Sequence, residues 1–258
     1  MDFSKLLVDL SSSLASRSGI LTEDTVRYYL YHHMLFQDPD LNHYTLELPY
    51  DSIRKGLCPN VRLVENHGLK TTTSSNHNKK SEGKLNQELD MYYDNGFEQI
   101  CVEVKFHRHA GNGSDFAHTM AAGQLINDFR RLQLLRPAGE GHNFKSVMFY
   151  VTDNKMHNYL MNIGSNPSLY RGALSKLYNE GLFSCQIDDP ETFRRYAYKS
   201  FSEKKSSFKI ISDIKGMLKV ACPGCYSICT NKLAEKGLYI KLYEISNQTG
   251  DLDLSGNV

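Results

Sequence analysis

The octapeptide Lys145-Ser146-Val147-Met148-Phe149-Tyr150-Val151-Thr152 constrains the fold more than any other stretch of this chain. Its centre is apolar at consecutive positions, so a strand formed there needs cover on both faces, which a sheet with helices on each side supplies. The neighbouring segments agree. Leu6, Leu7, Leu10 and Leu14 recur at helical spacing over 3 to 15. Thr22 is a hydroxyl N-cap ahead of Glu23 and Asp24, whose charges suit the positive end of a helix running to about 36. That helix is expected to bury Val26, Leu30 and either His33 or Met34. Tyr44 to Leu48 alternates and stops at Pro49, while Leu89 to Tyr93 and Gln99 to Phe106 form a hairpin around Asp94-Asn95-Gly96.

A helix is expected from about Asp115 to Arg136, with Leu125, Ile126, Phe129 and Leu132 on one stripe, Gln124, Asp128 and Arg131 on the other, and Pro137 as its stop. Further helical patterns fall at about 153 to 163, 168 to 180 and 190 to 200, before a last strand, Leu238 to Ile245. The order α, α, β, β, β, α, β, α predicts an α/β fold: a three-layer core of mixed sheet flanked by helices, with a mainly helical C-terminal half. At 258 residues this fits one domain, with a core at about 20–155 and a C-terminal elaboration at about 156–258.

Within the hairpin the apolar residues Ile100, Val102, Val104 and Phe106 take even positions, so Cys101, Glu103 and Lys105 project from the opposite face. Glu103 and Lys105 are then about 7 Å apart on one side of the strand. A charged pair of this kind marks a solvated sheet face or a working site, because burial without compensation is costly. An antiparallel hairpin brings Asp90 beside Glu103. Two converging carboxylates make a hard-oxygen site suited to Mg²⁺, with Mn²⁺ as substitute, and an adjacent ammonium completes a kit for metal-assisted phosphodiester hydrolysis.

Asp90 on one strand, Glu103-Val104-Lys105 on the next and a following helix with Ala122-Gly123-Gln124-Leu125 resemble the PD-(D/E)XK nuclease superfamily, the restriction-endonuclease-like fold. Leu89 stands where members of that superfamily often carry proline. The resemblance spans about 23 to 150. It implies a single nuclease domain over 1–258, a Mg²⁺-dependent endodeoxyribonuclease similar to type II restriction enzymes, acting on double-stranded DNA as a homodimer. In that reading Asp90 and Glu103 are the metal ligands, and Lys105 lies near the attacking water. An early-helix glutamate also belongs to the pattern: Glu23 fits better, with Asp24 as its neighbour, and Gln124 completes the set. Glu47 either adds a metal oxygen, orients Lys105 or faces solvent.

The formal charge of +1 excludes a protein held to a polyanion by bulk charge, so placement has to serve instead. From 62 to 84 five basic residues, Lys79 and Lys80 among them, stand against two acidic ones, giving +3. From 194 to 209 six basic residues, including Arg194, Arg195, Lys199, Lys204 and Lys205, stand against Glu203 alone, giving +5, with aromatic residues between them. These stretches, with His107 and Arg108 beside the motif, are the expected DNA contacts. Sequence readout would fall to 66–84, 107–115 and the region after 185. Cys222, Cys225 and Cys229 provide three thiolates, and no second Cys-x-x-Cys supplies a fourth ligand, so ordinary thiols in a turn are expected ahead of a structural Zn²⁺. No run of about 18 apolar residues exists, and Asp2 and Asp9 sit where a secretory signal would be basic and apolar; a cytoplasmic protein with no membrane partner is expected. The rival readings are a structure-specific repair or phage-type nuclease, and a catalytically silent nucleic-acid-binding protein of the same fold.

Overall fold

The computed structural model describes residues 1–17, 19–63, 88–107, 125, 128–129, 131–141, 143–161, 178 and 237–245, and the backbone of 162, 183–186 and 217–228. The first layer is helical. Helix α1, Phe3–Ser16, buries Leu6, Leu7, Leu10 and Leu14, and its cap Asp2 accepts a hydrogen bond from the Lys5 N–H. Helix α2, Glu23–Gln37, starts where Thr22 accepts from the Thr25 N–H, a cap worth about 1 kcal/mol. Its buried stripe is Val26, Leu30 and Met34, which settles the choice between His33 and Met34.

Strand β1, Tyr44–Pro49, leads into the short helix α3, Tyr50–Arg54, and strand β2, Val61–Leu63. Strands β3, Glu88–Asp94, and β4, Glu98–His107, are the expected hairpin, with Met91 opposite Val102 and Asp94 opposite Gln99. Its turn needs Gly96, whose φ of 84° is left-handed and whose N–H donates to Asp94 Oδ1 at 2.9 Å. Residues 125, 128, 129 and 131–133 are helical, followed by β5, Leu135–Pro137, and β6, Asn143–Asp153. Then come α4, Asn154–Asn162, and strands β7, Phe183–Gln186, β8, Met217–Ile228, and β9, Leu238–Ile245.

Seven strands form one sheet in the order β1-β3-β4-β6-β9-β8-β7, and β2 with β5 forms a second, two-stranded one. The large sheet is mixed: β4 and β6 run parallel, and every other adjacent pair is antiparallel. A parallel pair needs a long crossover, which residues 108–142 supply. One face carries Ile100, Val102, Val104, Val147, Phe149 and Val151 against α1 and α2. The other carries Cys101, Met148, Tyr150 and Tyr243 against Leu125, Phe129 and Leu132, with α3 and α4 alongside. Both faces of β6 are covered, as its uninterrupted apolar run requires.

Two expectations need correction. Leu135 and Arg136 belong to strand β5 and not to the helix, which ends before Leu134; three residues pairing with β2 outweigh their helical propensity. The described part of the second half is also less helical than expected, since β7 and β8 extend the sheet through β9. Cys222-Pro223-Gly224-Cys225 lies within β8, where the pairing with β9 shifts between Ala221 and Gly224, around a proline that has no N–H for the ladder. The patterns over 168–180, apart from the helical Tyr178, and over 190–200 lie outside the described residues. None of the described helices is long and apolar enough to cross a membrane.

Candidate active site

Cross-strand pairing between β3 and β4 reaches Met91 and Val102 and goes no further toward Asp90. Beyond that point side chains take over. The Val104 N–H donates to Asp90 Oδ2 at 2.6 Å, and the Asp90 N–H lies 3.4 Å from Glu103 Oε2. Both carboxylates are thereby fixed side by side where the strands part. Glu103 is 3% exposed and Asp90 8%, so the Glu103–Lys105 pattern is not a solvated sheet face.

Lys105 does not pair directly with Glu103. Its ammonium lies 3.3 Å from Glu23 Oε1 and 3.4 Å from Asp128 Oδ2. Glu23, at the first turn of α2, also accepts the Phe106 N–H through Oε2 at 3.2 Å, which ties the helix start to the end of β4. Asp24 points outward and, among the described residues, meets Arg27 at 3.2 Å, so Glu23 is the early-helix carboxylate that reaches Lys105. Glu47 is exposed and contacts Arg27 at 3.4 Å, away from Lys105. Gln124 lies outside the described residues.

Three further groups complete the cluster. Arg131 bridges Glu103, at 2.8 Å, and Asp128, and its guanidinium lies over the Tyr50 ring. Arg27 stands 3.4 Å from Asp90 and close to Glu23, Asp24 and Glu47. Asp128 and Arg131 stand in the sequence on a polar helical stripe, whereas Arg27 is not singled out there, its one signal being a cation one turn after Glu23; their joint convergence on β4 is tertiary. Among the described residues six carboxyl groups (Glu23, Asp24, Glu47, Asp90, Glu103, Asp128) share three cations (Arg27, Lys105, Arg131).

Burial dominates the titrations of the two central carboxyls. Burial pushes the Asp90 carboxyl up to about 6 against the opposing Val104 hydrogen bond and the charges of Arg27 and Lys105. Burial also pushes Glu103 up, with Asp90 and Asp128 adding repulsion and Arg131 opposing it. Burial alone would lower the Lys105 ammonium, but Asp128, Glu23 and Glu103 outweigh it and hold it above the usual lysine range.

The donor set fits a hard divalent cation. Asp90 and Glu103 offer only oxygen, both carboxyls are raised chiefly by burial, and Asp90 Oδ1 faces an Arg27 Nε that makes no hydrogen bond. No group of three or more metal-ligating side chains occurs among the described residues; Mg²⁺ uses one or two carboxylates and keeps its waters.

The expected DNA contacts divide. His107 is 4% exposed, with Nδ1 sharing a hydrogen bond with the Tyr150 hydroxyl at 3.1 Å and its ring set edge-on to the same tyrosine; it faces the core and not a phosphate. Its position at the end of β4, in register with Thr152, places it under the sheet's cover. Arg108, Lys79, Lys80, Arg194, Arg195, Lys199, Lys204 and Lys205 lie outside the described residues, as does Cys229 and the side chains of Cys222 and Cys225. No protein-family model, curated protein or solved structure matches this chain.

Proposed function

We propose that the chain is a Mg²⁺-dependent endodeoxyribonuclease of the PD-(D/E)XK kind. The observation that supports it best is the buried convergence of Asp90, Glu103 and Lys105 where β3 and β4 part. Carboxylates are rarely buried this deeply without serving a charge, and perturbed groups of this kind concentrate at working sites.

Asp90 and Glu103 would hold the cation, which supplies acidified water and neutralises charge developing on phosphorus. Lys105, kept protonated between Glu23 and Asp128, is an orienting donor in this reading and not a base. Its ammonium aligns the attacking water and a non-bridging phosphate oxygen. Glu23 and Asp128 position that ammonium; Arg131 positions Glu103. In the same proposal the substrate is double-stranded DNA, cut sequence-specifically by a homodimer in the manner of type II restriction enzymes. Discrete plasmid fragments support that finer reading, whereas dependence on ends or junctions supports a repair or phage-type nuclease.

A second reading has its own observation. Arg131 already compensates Glu103, and Arg27 faces Asp90, which favours a catalytically silent nucleic-acid-binding protein. Incubating mixed-sequence DNA with Mg²⁺ and with chelator, alongside Asp90→Ala and Lys105→Ala, separates the two. The nuclease reading expects cleavage by the parent with Mg²⁺ only; DNA retention indifferent to chelator, with no cleavage, supports the silent protein.

A further inference from the structure

The two arginines of the cluster are held very differently. Arg131 is 9% exposed and gripped by Glu103 at 2.8 Å and by Asp128. Arg27 is 23% exposed and stands 3.2 to 3.8 Å from four carboxylates, longer than the usual charge-assisted hydrogen bond at every one. Its Nε is buried without a hydrogen bond although Asp90 Oδ1 is 3.4 Å away. No single carboxylate owns this guanidinium, so turning it outward breaks no tight pair.

Glu47 supplies an independent observation. The β1–β3 pairing includes Leu46 with Met91 and Leu48 with Leu89 but passes over Glu47, which stands level with Asp90. At that point the backbone takes a φ of 53°, a left-handed conformation that glutamate adopts at a cost. The unusual turn of the strand accompanies a Glu47 carboxylate that accepts from Arg27 Nη1 at 3.4 Å. A strained acceptor and a loosely shared, partly exposed cation meet at the outer edge of the carboxylate pair.

From this the geometry points to Arg27 as a phosphate-binding residue: it neutralises Asp90 in the free protein and turns to a backbone phosphate of the polynucleotide when that strand arrives, with Glu47 aiming its guanidinium. The ligand chemistry is a phosphodiester oxygen pair, which suits the planar fork of arginine. The inference rests on the nuclease reading and adds to it a residue that the D…ExK pattern does not contain.

The test is equilibrium binding of a short DNA duplex in Ca²⁺ across a salt series, for the parent, Arg27→Gln, Arg27→Lys and Glu47→Gln, with parental cleavage in Mg²⁺ measured in parallel. Removing one phosphate contact flattens the slope of log affinity against log salt by about 0.9. Arg27→Gln is expected to show that flattening and about tenfold weaker binding with its Tm held near the parent's. Arg27→Lys restores the slope but not the full affinity, and Glu47→Gln keeps the slope while weakening binding a few-fold. A parent that cuts DNA while Arg27→Gln keeps the parental slope overturns the inference alone. A parent that neither binds nor cuts DNA overturns both it and the nuclease reading.

Discussion

The Val104 N–H donates to the Asp90 carboxylate at 2.6 Å, so a side chain occupies the place where a strand ladder would offer a carbonyl. One bond therefore does two things. It ends the β3–β4 pairing and turns a carboxylate into the opening, next to Glu103. The consequences of that arrangement can be measured.

Lys105→Met removes the ammonium while leaving Asp90 and Glu103 in place. The expected loss is about 10²–10³ in kcat, the usual scale for removing one donor aimed at developing charge, with a smaller change in KM. Steady-state cleavage in Mg²⁺ checks it; a larger effect on KM than on kcat would make Lys105 a binding group only.

Proton linkage gives a second expectation. The folded-state pKa of Asp90, about 6, lies above the ordinary carboxylate range near 4, and Glu103 is shifted the same way. A raised carboxyl contributes stability that is present below its unfolded pKa and is lost as pH rises through its folded one. From Asp90 the metal-free protein should lose on the order of 1–3 kcal/mol between about pH 4 and pH 6, and Glu103 continues the loss as pH rises further. Mg²⁺ should restore more stability at the upper end than at the lower. Thermal melts across that range, with Mg²⁺ and with chelator, read both trends, and a Mg²⁺ increment that shrinks with rising pH would contradict them.

Arg131→Met strands Glu103 and Asp128 in the core without their shared cation. A cost of about 3–5 kcal/mol in urea unfolding is expected. Adding Glu103→Gln and Asp128→Asn to the same chain should recover most of it, because the unpaired charges and not the lost packing carry the cost. No recovery would assign the loss to packing against Tyr50.

Glu47 tests the backbone. At a φ of 53° glycine is at ease and a β-branched residue is not. Glu47→Val should therefore be less stable than Glu47→Gly by about 1–2 kcal/mol, whereas the exposed pair with Arg27, lost in both, contributes at most about 1 kcal/mol. Equal stabilities would mean that the strand relaxes there.

Much of this was legible in the residues, for identifiable reasons. The Thr22 cap, the Asp94-Asn95-Gly96 turn and the even-position apolar run of β4 are local signals, and each forms as expected. Period-two parity placed Glu103 and Lys105 on one face, but it could not say that the face is buried, since burial depends on the helix packed over it. The roles of Arg27 and Arg131 were not legible: Arg131 lies 28 residues from Glu103, and nothing local selects that partner. His107 reads as a strand-end donor until Tyr150, 43 residues away, is found beside it. Strand β5 was missed because three residues carry no period, and β8 because Cys-Pro-Gly-Cys is turn chemistry that here sits at a shift in strand register.

The central claim is that Asp90 and Glu103 together hold a divalent cation. Mn²⁺ binding followed by electron paramagnetic resonance on the DNA-free protein, with Asp90→Asn and Glu103→Gln beside the parent, tests it without relying on turnover. One Mn²⁺ site in the parent, displaced by Mg²⁺ and weakened at least tenfold in each variant, is the expected result. Equal Mn²⁺ binding by the parent and both variants, or none by the parent, would contradict it.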